Sequence, residues 1–166
     1  MAEPLPLLSI TMEGHSNILD VGCGSYELIA VSNSEDTVGL DQSIVALKNL
    51  RKFGFKGHTI QADAPHSPFR SNAFSCLISN QVIEHMLTTS QIQNFKTELE
   101  RISRKIVIVT PNSVYSRKIN DPTHFFFFTT RSLKSLFPNY QIHARRRPSY
   151  NYPLRAILIY IVDIIH

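Results

Sequence analysis

The stretch Ile18–Leu28, ILDVGCGSYEL, decides the fold of this chain. Its apolar residues run straight into Asp20 and a Gly-x-Gly turn at Gly22 and Gly24, and a helical pattern follows at once. Glycines let the backbone turn sharply and come close to a ligand at the carboxyl end of a strand, where open α/β sheets bind. Unpaired N–H groups at the start of the next helix favour a polar or anionic ligand. The stretch therefore predicts a strand, a ligand-binding turn and a helix.

Apolar strands and helical stretches alternate along the rest of the chain. Strands are predicted at 17–21, 36–40, 57–61, 74–79 and 105–110, and helices at about 26–32, 43–52, 90–102 and 130–136. Ser43 is the expected cap of the second helix, and Thr89 or Ser90 that of the third. The run IVIV at 106–109 is typical of a strand buried on both faces. The alternation predicts an α/β fold with a mostly parallel sheet of six to seven strands and helices on both faces.

Two later segments allow more than one interpretation. Residues 111–129 form a long connection after a central strand, and long loops in compact domains are usually functional, so we assign it to the substrate side. Its phenylalanines at 125–128 are explained equally well by packing on the core. The apolar tail at 154–165 fits either a short helix at a membrane surface or a last strand. We favour the strand, because 140–147 suits an antiparallel partner.

Length and composition indicate one folded domain. The 166 residues predict a single domain, 1–166, with a core at about 17–137 and a C-terminal extension at 138–166. A hydrophobic content of 43% and a charged content of 18% are those of a globular protein. The net charge of +4 is mild and gives no argument for nucleic acid. We interpret the triplet Arg145–Arg147 as a solvated strand end or loop rather than an anion-binding patch.

Cys23 and Cys76 are the two cysteines of the chain, and both fall in apolar strand or turn segments. They are expected to be buried free thiols of a reducing compartment, which predicts a cytoplasmic location. Neither has a Cys or His neighbour at metal-ligand spacing, so no metal site is predicted. The sequence shows no secretory signal, and no stretch reaches the roughly 18 apolar residues of a membrane-spanning helix.

Polar features stand at the carboxyl ends of four successive predicted strands. The turn at 20–24 is followed by Asp41 in VGLDQS, Asp63 in QADAPHSPF and the segment SNQVIEH at 79–85. Asp41 follows the glycines by about 20 residues, where an acid can accept hydrogen bonds from both ribose hydroxyls of a nucleoside. Each acid alone could be a helix cap or turn former, but four features in order favour a nucleoside site. A nicotinamide cofactor is disfavoured, because Glu27 stands where the dinucleotide fingerprint has glycine.

These motifs together resemble a known family. ILDVGCG, VGLDQS, ADAPHSPFRSNAFSCLISNQVIEHM, IVIVTPN and DPTHFFFFTTRSLKSLF are similar to the successive motifs of class I S-adenosylmethionine-dependent methyltransferases, with the type 11 branch as the closest likeness. The resemblance covers about 17–137 and implies a Rossmann-like three-layer sandwich that uses S-adenosylmethionine. The implied activity is methyl transfer to an unidentified acceptor, expected to be a small-molecule or lipid-like compound. The aromatic run, the basic triplet and the apolar tail fit a lipid or other hydrophobic acceptor, and they fit ordinary packing equally well. Weak contact of the tail with a membrane surface and a homodimer are further expectations.

The resemblance also implies roles for particular residues. The cofactor-binding set that it implies is Asp20, Gly22, Gly24, Asp41, Gln42, Asp63, Ala64, Asn80 and Gln81. Asp41 would hold the ribose hydroxyls, Asp63 would accept a hydrogen bond from the adenine amino group, and Gln81 would line the floor under the sulfonium. His85 and His124 are candidate general bases, because an imidazole titrates near neutrality.

A binding module with the same fold and weak or no catalysis is the alternative function. Tyr26 stands where members of the family commonly have a small residue. Residues 1–16 are also short for the N-terminal helix that usually covers the cofactor. Both features weaken the expectation of full catalytic activity and motivate a regulatory or scaffolding role as the alternative.

Overall fold

The computed structural model describes residues 15–25, 33–113, 121–146 and 157–162, and only the backbone of 145–146 and 157–162. The expected helix at 26–32, Tyr26, most of the N-terminal segment and Arg147 lie outside these ranges. The strands of the described part are β1 Ile18–Val21, β2 Thr37–Asp41, β3 His58–Gln61, β4 Cys76–Asn80, β5 Ile106–Pro111, β6 Gln141–Arg146 and β7 Ile157–Val162. Its helices are α1 Ile44–Lys52, α2 Thr89–Ile102 and α3 Thr130–Leu136, with 3₁₀ turns at Ala64–His66 and Ile83–His85.

The strands form one seven-stranded sheet in the order β3-β2-β1-β4-β5-β7-β6. Strands β1 to β5 are parallel, whereas β7 is antiparallel to both β5 and β6. The chain progresses from β1 to β3 in one direction and from β4 to β5 in the other, so the order reverses between β1 and β4. Ligands of open α/β sheets bind outside the carboxyl ends of the strands at such a reversal. The predicted mostly parallel sheet is confirmed.

Helices cover both faces of this sheet. The connection from β2 to β3 through α1 and the connection from β4 to β5 through α2 run in opposite directions along the sheet. Because such connections are right-handed, the two helices lie on opposite faces of the sheet. Two separate buried clusters agree with this arrangement. One joins Leu19, Leu77 and Ile106 of the strands to Ile92, Phe95 and Leu99 of α2 and Leu133 of α3. The other contains Leu47 and Leu50 of α1 with Cys23 and Phe55. The three-layer α/β class is therefore confirmed.

The ends of two helices test the predicted caps. Ser43 caps α1 as expected, and its Oγ accepts a hydrogen bond from the Ala46 N–H at 3.2 Å. The predicted cap of α2 is wrong by one residue, because Thr88 caps it through a 3.1 Å bond from the Gln91 N–H. Thr88 is the last residue with an extended backbone, and Thr89 already belongs to the helix. A run of three hydroxyl residues at 88–90 does not reveal which of them begins the turn.

The apolar tail forms a strand, and the helical interpretation of it is wrong over 157–162. Strand β7 lies between β5 and β6 and pairs with both, with Val109 of β5 opposite Tyr160 and Ile142 of β6 opposite Ile161. A strand with partners on both sides has its backbone hydrogen bonds satisfied within the sheet. The predicted antiparallel partner in the segment 140–147 is confirmed as β6.

The packing interpretation of the phenylalanine run is confirmed for alternate residues, and the substrate-side interpretation stays a prediction. Phe128 is buried and Phe126 packs against the same core cluster, as the packing interpretation expects. Phe125 and Phe127 are 53% and 56% exposed. Successive side chains of an extended chain point to opposite sides, so a core-facing and an outward-facing series alternate. The outward series is available to a ligand.

The two cysteines are buried free thiols, as predicted. Burial raises the pKa of the Cys76 thiol to about 11, and it raises the pKa of Cys23 as well, with Asp20 and Asp41 adding to the effect. Thiols in this state are unreactive near neutral pH, since the thiolate is the nucleophile. None of the described helices is both long and apolar enough to cross a membrane.

A polar network fastens the segment after β3 to helix α2. Glu98 of α2 accepts hydrogen bonds from Arg101 Nε and Nη2 at 2.8 and 2.7 Å, and from Ser67 Oγ at 2.5 Å. Arg101 Nη2 also donates to the carbonyl of Phe69 at 2.7 Å. The hydrogen bonds from Arg101 and Ser67 hold the pKa of Glu98 below its usual range, although partial burial opposes them. The network therefore stabilises the turn at Ala64–His66 that immediately precedes Ser67.

We expect Glu98→Gln to lower the free energy of unfolding by about 1–2 kcal/mol at pH 7. This value is reduced for screening by solvent, because the Arg101 guanidinium is partly exposed. The pKa of Glu98 is lower in the folded state than in the unfolded state, so its contribution is present above the unfolded pKa. The contribution is lost as pH falls through the folded pKa. Urea unfolding at neutral pH and at about pH 3 should show the difference between wild type and variant shrinking.

Glu100→Gln is the control for this prediction. Glu100 pairs with Lys96 along the same helix at 2.8 Å, and such i,i+4 pairs contribute only about 0.3–0.5 kcal/mol. A Glu98→Gln effect as small as that of Glu100→Gln, or one that does not change between the two pH values, would contradict the role of the network.

Candidate cofactor site

A cavity of about 540 Å³ opens at the carboxyl edge of the parallel strands. Cavities that bind small molecules commonly have volumes of roughly 300–1,000 Å³. Its wall includes the ends of β1, β2, β3 and β4, at the point where the strand order reverses. Six of the predicted cofactor residues line it: Gly22, Asp41, Gln42, Asp63, Ala64 and Gln81.

The glycine turn after β1 requires glycine for two different reasons. Gly22 has φ +74°, and a Cβ added there would overlap Val82 Cγ2, a side chain that lines the cavity. Gly24 has φ +61°, but a Cβ there would meet open space. The Gly22 N–H donates to the Leu40 carbonyl at 2.7 Å, which joins the turn to the end of β2. Glycine at position 22 is therefore needed for the close approach of the turn to Val82. Glycine at position 24 is needed only for the left-handed backbone conformation.

Asp41, at the end of β2, connects the glycine turn to helix α1. Its Oδ2 accepts a hydrogen bond from the Gly24 N–H at 2.9 Å, and its Oδ1 accepts one from the Ser43 N–H at 2.8 Å. Each carboxylate oxygen can accept two hydrogen bonds, so both oxygens retain capacity for a ligand hydroxyl. The sequence predicted only the ligand contact, whereas the structure shows that Asp41 also organises the turn.

The wall after β3 combines two small residues with an exposed acid. Ala62 and Ala64 line the cavity on either side of Asp63 and also pack against the core. The Asp63 carboxylate is exposed, and its Oδ2 lies 3.0 Å from His66 Nδ1. Short side chains leave a flat space beside the acid, which suits a planar ring. His66 is a neighbour of Asp63 that the sequence analysis did not identify.

Gln81, directly after β4, has an unusual backbone. Its φ is +56°, a left-handed conformation that residues other than glycine seldom adopt. The hydrogen bond from its N–H to the Val109 carbonyl at 2.8 Å holds the backbone against β5. Such conformations cost of order 1 kcal/mol and concentrate where ligands bind. The structure therefore fixes Gln81 in the wall of the cavity.

Three predicted cofactor residues do not line the cavity: Asp20, Gly24 and Asn80. Asp20 is 7% exposed and lies in register between Gly39 of β2 and Ile78 of β4, one residue before the end of its strand. Gly24 acts on the site through its bond to Asp41. Asn80 is the last residue of β4. Their roles in binding stay predictions.

Part of the cavity wall consists of residues that the sequence analysis missed. Met86, Leu87, Gln91, Thr123 and Phe125 line it. The Gln91 side chain accepts a 2.7 Å hydrogen bond from the Leu87 N–H, which fixes the segment before α2. The N–H groups of Phe125 and Phe126 donate to the Glu84 carbonyl at 2.9 and 3.1 Å. The length of the connection at 111–129 and its position after a central strand indicated that this loop contributes, but nothing in the sequence indicated its partner.

His85 and His124 are brought together at the edge of the cavity. Their ring centroids are 4.7 Å apart in an edge-to-face contact, and His85 is one of the lining residues. Burial lowers the pKa of His124, although Asp121 opposes the effect. His85 Nδ1 lies 3.0 Å from the Thr123 carbonyl. The two predicted general bases are therefore in contact with each other beside the cavity, where either could take part in acid–base chemistry.

Glu84 lies beside the two histidines and is 1% exposed. Its Oε2 accepts a hydrogen bond from Thr110 Oγ1 at 3.1 Å, and burial raises the pKa of its carboxyl to about 7. Glu84, His85 and His124 form a group of ligand-bearing side chains close enough to hold a metal ion. The prediction of no metal site considered only the cysteines, and the structure does not test it.

Comparison with known proteins supplies the family. Residues 19–108, more than half of the chain, match the family described as "Methyltransferase domain". The uncharacterised methyltransferase YodH of Bacillus subtilis is 33% identical over 89 residues, which are 50% of this chain and 38% of that protein. The chain spans about two fifths or less of the length of the curated relatives it matches.

Solved structures confirm the same fold. The YcgJ protein of Bacillus subtilis superposes over 100% of both chains with a TM-score of 0.77 at 14% identity. A SAM-dependent methyltransferase of Methanosarcina mazei superposes over 97% of this chain and 98% of that chain, with a TM-score of 0.75 at 13% identity. Identities this low show the fold alone, but the family match runs from β1 into β5 and includes every residue of the cavity wall except Thr123 and Phe125. The chain therefore belongs to the methyltransferase-domain family, and its fold is that of class I methyltransferases.

Proposed function

We propose that this chain transfers the methyl group of S-adenosylmethionine to a small-molecule or lipid-like acceptor. The observation that carries the proposal is the cavity, because the carboxyl ends of four successive parallel strands contribute to its wall. Each end supplies one of the residues implied by the family resemblance: Gly22, Asp41, Asp63 and Gln81.

The residues of the cavity fit the chemistry of that cofactor. The carboxylates of Asp41 and Asp63 offer acceptors for ribose hydroxyls and for an adenine amino group. Ala62 and Ala64 leave room for a flat ring, and Gly22 adds no side chain to the cavity wall. Two acidic side chains also favour a ligand that carries a positively charged sulfonium and amino group.

S-adenosylmethionine, when bound, supplies an electrophilic methyl group. The task of the protein is then to hold the acceptor in line with that group, and alignment can contribute roughly 7–11 kcal/mol of barrier reduction. Met86, Leu87 and Phe125 give part of the cavity an apolar lining, from which a bound acceptor would displace water. His85 or His124 can accept the proton that a hydroxyl or ammonium acceptor loses.

The mouth of the cavity supports an apolar acceptor. Leu87 and Phe125 line it and are 60% and 53% exposed, which is unusual for large apolar side chains that serve only the core. An acceptor with an apolar part would cover them. A cytoplasmic location, weak contact of the tail with a membrane surface and a homodimer remain our predictions.

Two measurements test the proposed function. Titration calorimetry of the full chain should show S-adenosylmethionine binding with a submillimolar dissociation constant, and a labelled methyl group should then appear in one component of a metabolite and lipid extract. Failure to bind at millimolar cofactor would contradict the proposal. Binding without transfer to any fraction would favour the alternative, a binding module without catalysis. Tyr26, which motivates that alternative, lies outside the described residues.

A further inference from the structure

We propose that Glu84, His85 and His124 bind a divalent transition-metal cation at the edge of the cavity. Each residue offers one ligand atom, and these atoms lie within 4.8 Å of one another. Metal–nitrogen and metal–oxygen bonds of about 2.0–2.2 Å place the ligands of a tetrahedral ion about 3.3–3.6 Å apart. Closure of up to about 1.5 Å between the farthest pair therefore brings the three atoms onto one ion, and the two histidines are only partly buried.

The Glu84 carboxylate is a buried group whose hydrogen bonding is incomplete. Its Oε2 is held by Thr110, but its Oε1 is buried and has no hydrogen-bond partner among the described residues. A buried carboxylate oxygen without a partner is energetically costly, and most such groups are satisfied by a donor or an ion. A cation at this position would satisfy Oε1, and it would explain why an acid is tolerated at 1% exposure.

Both histidines are oriented as metal ligands usually are. His85 Nδ1 lies 3.0 Å from the Thr123 carbonyl, and because a carbonyl only accepts, Nδ1 carries the proton and Nε2 keeps its lone pair. His124 Nε2 lies 3.5 Å from the Asp121 carboxylate, which favours a proton on that nitrogen. Metal-ligating histidines nearly always donate their second ring nitrogen to a carbonyl or carboxylate.

The donor set indicates the class of cation. Two imidazoles and one carboxylate suit Zn²⁺, Mn²⁺, Co²⁺ or Fe²⁺ better than Ca²⁺ or Mg²⁺, which prefer oxygen ligands. Three protein ligands leave coordination positions open, as in catalytic metal sites. Because His85 also lines the cavity, an open position lies at its edge. If the proposed function holds, this open position would take an acceptor hydroxyl. The two histidines would then hold the cation, which lowers the pKa of a bound hydroxyl, instead of accepting the proton themselves.

Cobalt(II) titration of the tag-free full chain tests the site, since Co²⁺ in a four-coordinate protein site absorbs visible light far more strongly than the aqueous ion. We expect one Co²⁺ per chain at micromolar affinity, with Zn²⁺ displacing it in calorimetry. Glu84→Gln and His124→Gln should each weaken binding at least 100-fold. His143→Gln is the matched control, because His143 is exposed on β6 and its Nε2 lies 3.4 Å from the Gln141 side chain. Its affinity should equal that of wild type.

Circular dichroism and the urea midpoint of each variant verify folding, and His124→Gln serves if Glu84→Gln does not fold. No uptake by wild type, or uptake unchanged in the folded ligand variants, would overturn the proposal. Calorimetry with S-adenosylmethionine on the same proteins separates this site from the proposed function. If the wild type binds the cofactor but takes up no metal, only the proposed metal site is contradicted. If it takes up metal but does not bind the cofactor, only the proposed function is contradicted.

Discussion

Gly22→Ala is expected to lower the free energy of unfolding by about 2–5 kcal/mol and to remove measurable cofactor binding. The left-handed backbone at φ +74° costs an alanine about 1–2 kcal/mol, and forcing a Cβ against Val82 Cγ2 adds about 1–3 kcal/mol. The turn must also move away from Val82 to relieve the overlap, and this movement displaces the wall of the cavity. Urea unfolding and calorimetry with S-adenosylmethionine measure the two effects.

Gly24→Ala separates the two causes. Gly24 has a similar backbone at φ +61°, but a Cβ there meets open space, so only the conformational cost of about 1–2 kcal/mol is expected. In the double variant Gly22→Ala, Val82→Ala the overlap is removed, and the double variant should be more stable than the sum of the single changes predicts. If Gly22→Ala is no more harmful than Gly24→Ala, contact with Val82 is not the reason for glycine at this position.

The features that the sequence predicted well are those that depend on neighbouring residues. The sheet follows from short apolar runs, and the acids of the cavity follow from their positions at strand ends, so Asp41 and Asp63 were identified without a structure. Parallel strands have their carboxyl ends at one edge of the sheet. Residues that directly follow such strands in the sequence can therefore be expected to lie around the same cavity. The left-handed backbone of Gln81 carries no comparable sequence signal.

The features that the sequence missed depend on contacts between distant segments. Phe125 reaches the cavity because its N–H binds the carbonyl of Glu84, some forty residues earlier in the chain, and no local pattern encodes that bond. The grouping of Glu84 with His124 has the same origin. The cap at Thr88 was missed for another reason, since neighbouring hydroxyl residues have similar capping preferences.

Asp41→Ala is expected to weaken the binding of S-adenosylmethionine by about 10- to 150-fold, equivalent to about 1.5–3 kcal/mol. The predicted loss comes from two hydrogen bonds to ribose hydroxyls. The structure adds a second effect, because the N–H groups of Gly24 and Ser43 lose their acceptor. The free energy of unfolding should therefore fall as well, by about 1–3 kcal/mol. Calorimetry and urea unfolding are the measurements, with Asp36→Ala, an exposed acid before β2, as the control.

A cofactor analogue distinguishes contact with the ribose from organisation of the turn. S-adenosylmethionine that lacks the 2′-hydroxyl should bind wild type more weakly than the complete cofactor, because one predicted hydrogen bond to Asp41 is missing. The Asp41→Ala variant should bind both compounds with nearly equal affinity, since it has no carboxylate for that hydroxyl to contact. An equal loss of affinity in both proteins would mean that Asp41 only holds Gly24 and Ser43. The ribose would then be recognised by other residues, and the role implied by the family resemblance would not apply to this acid.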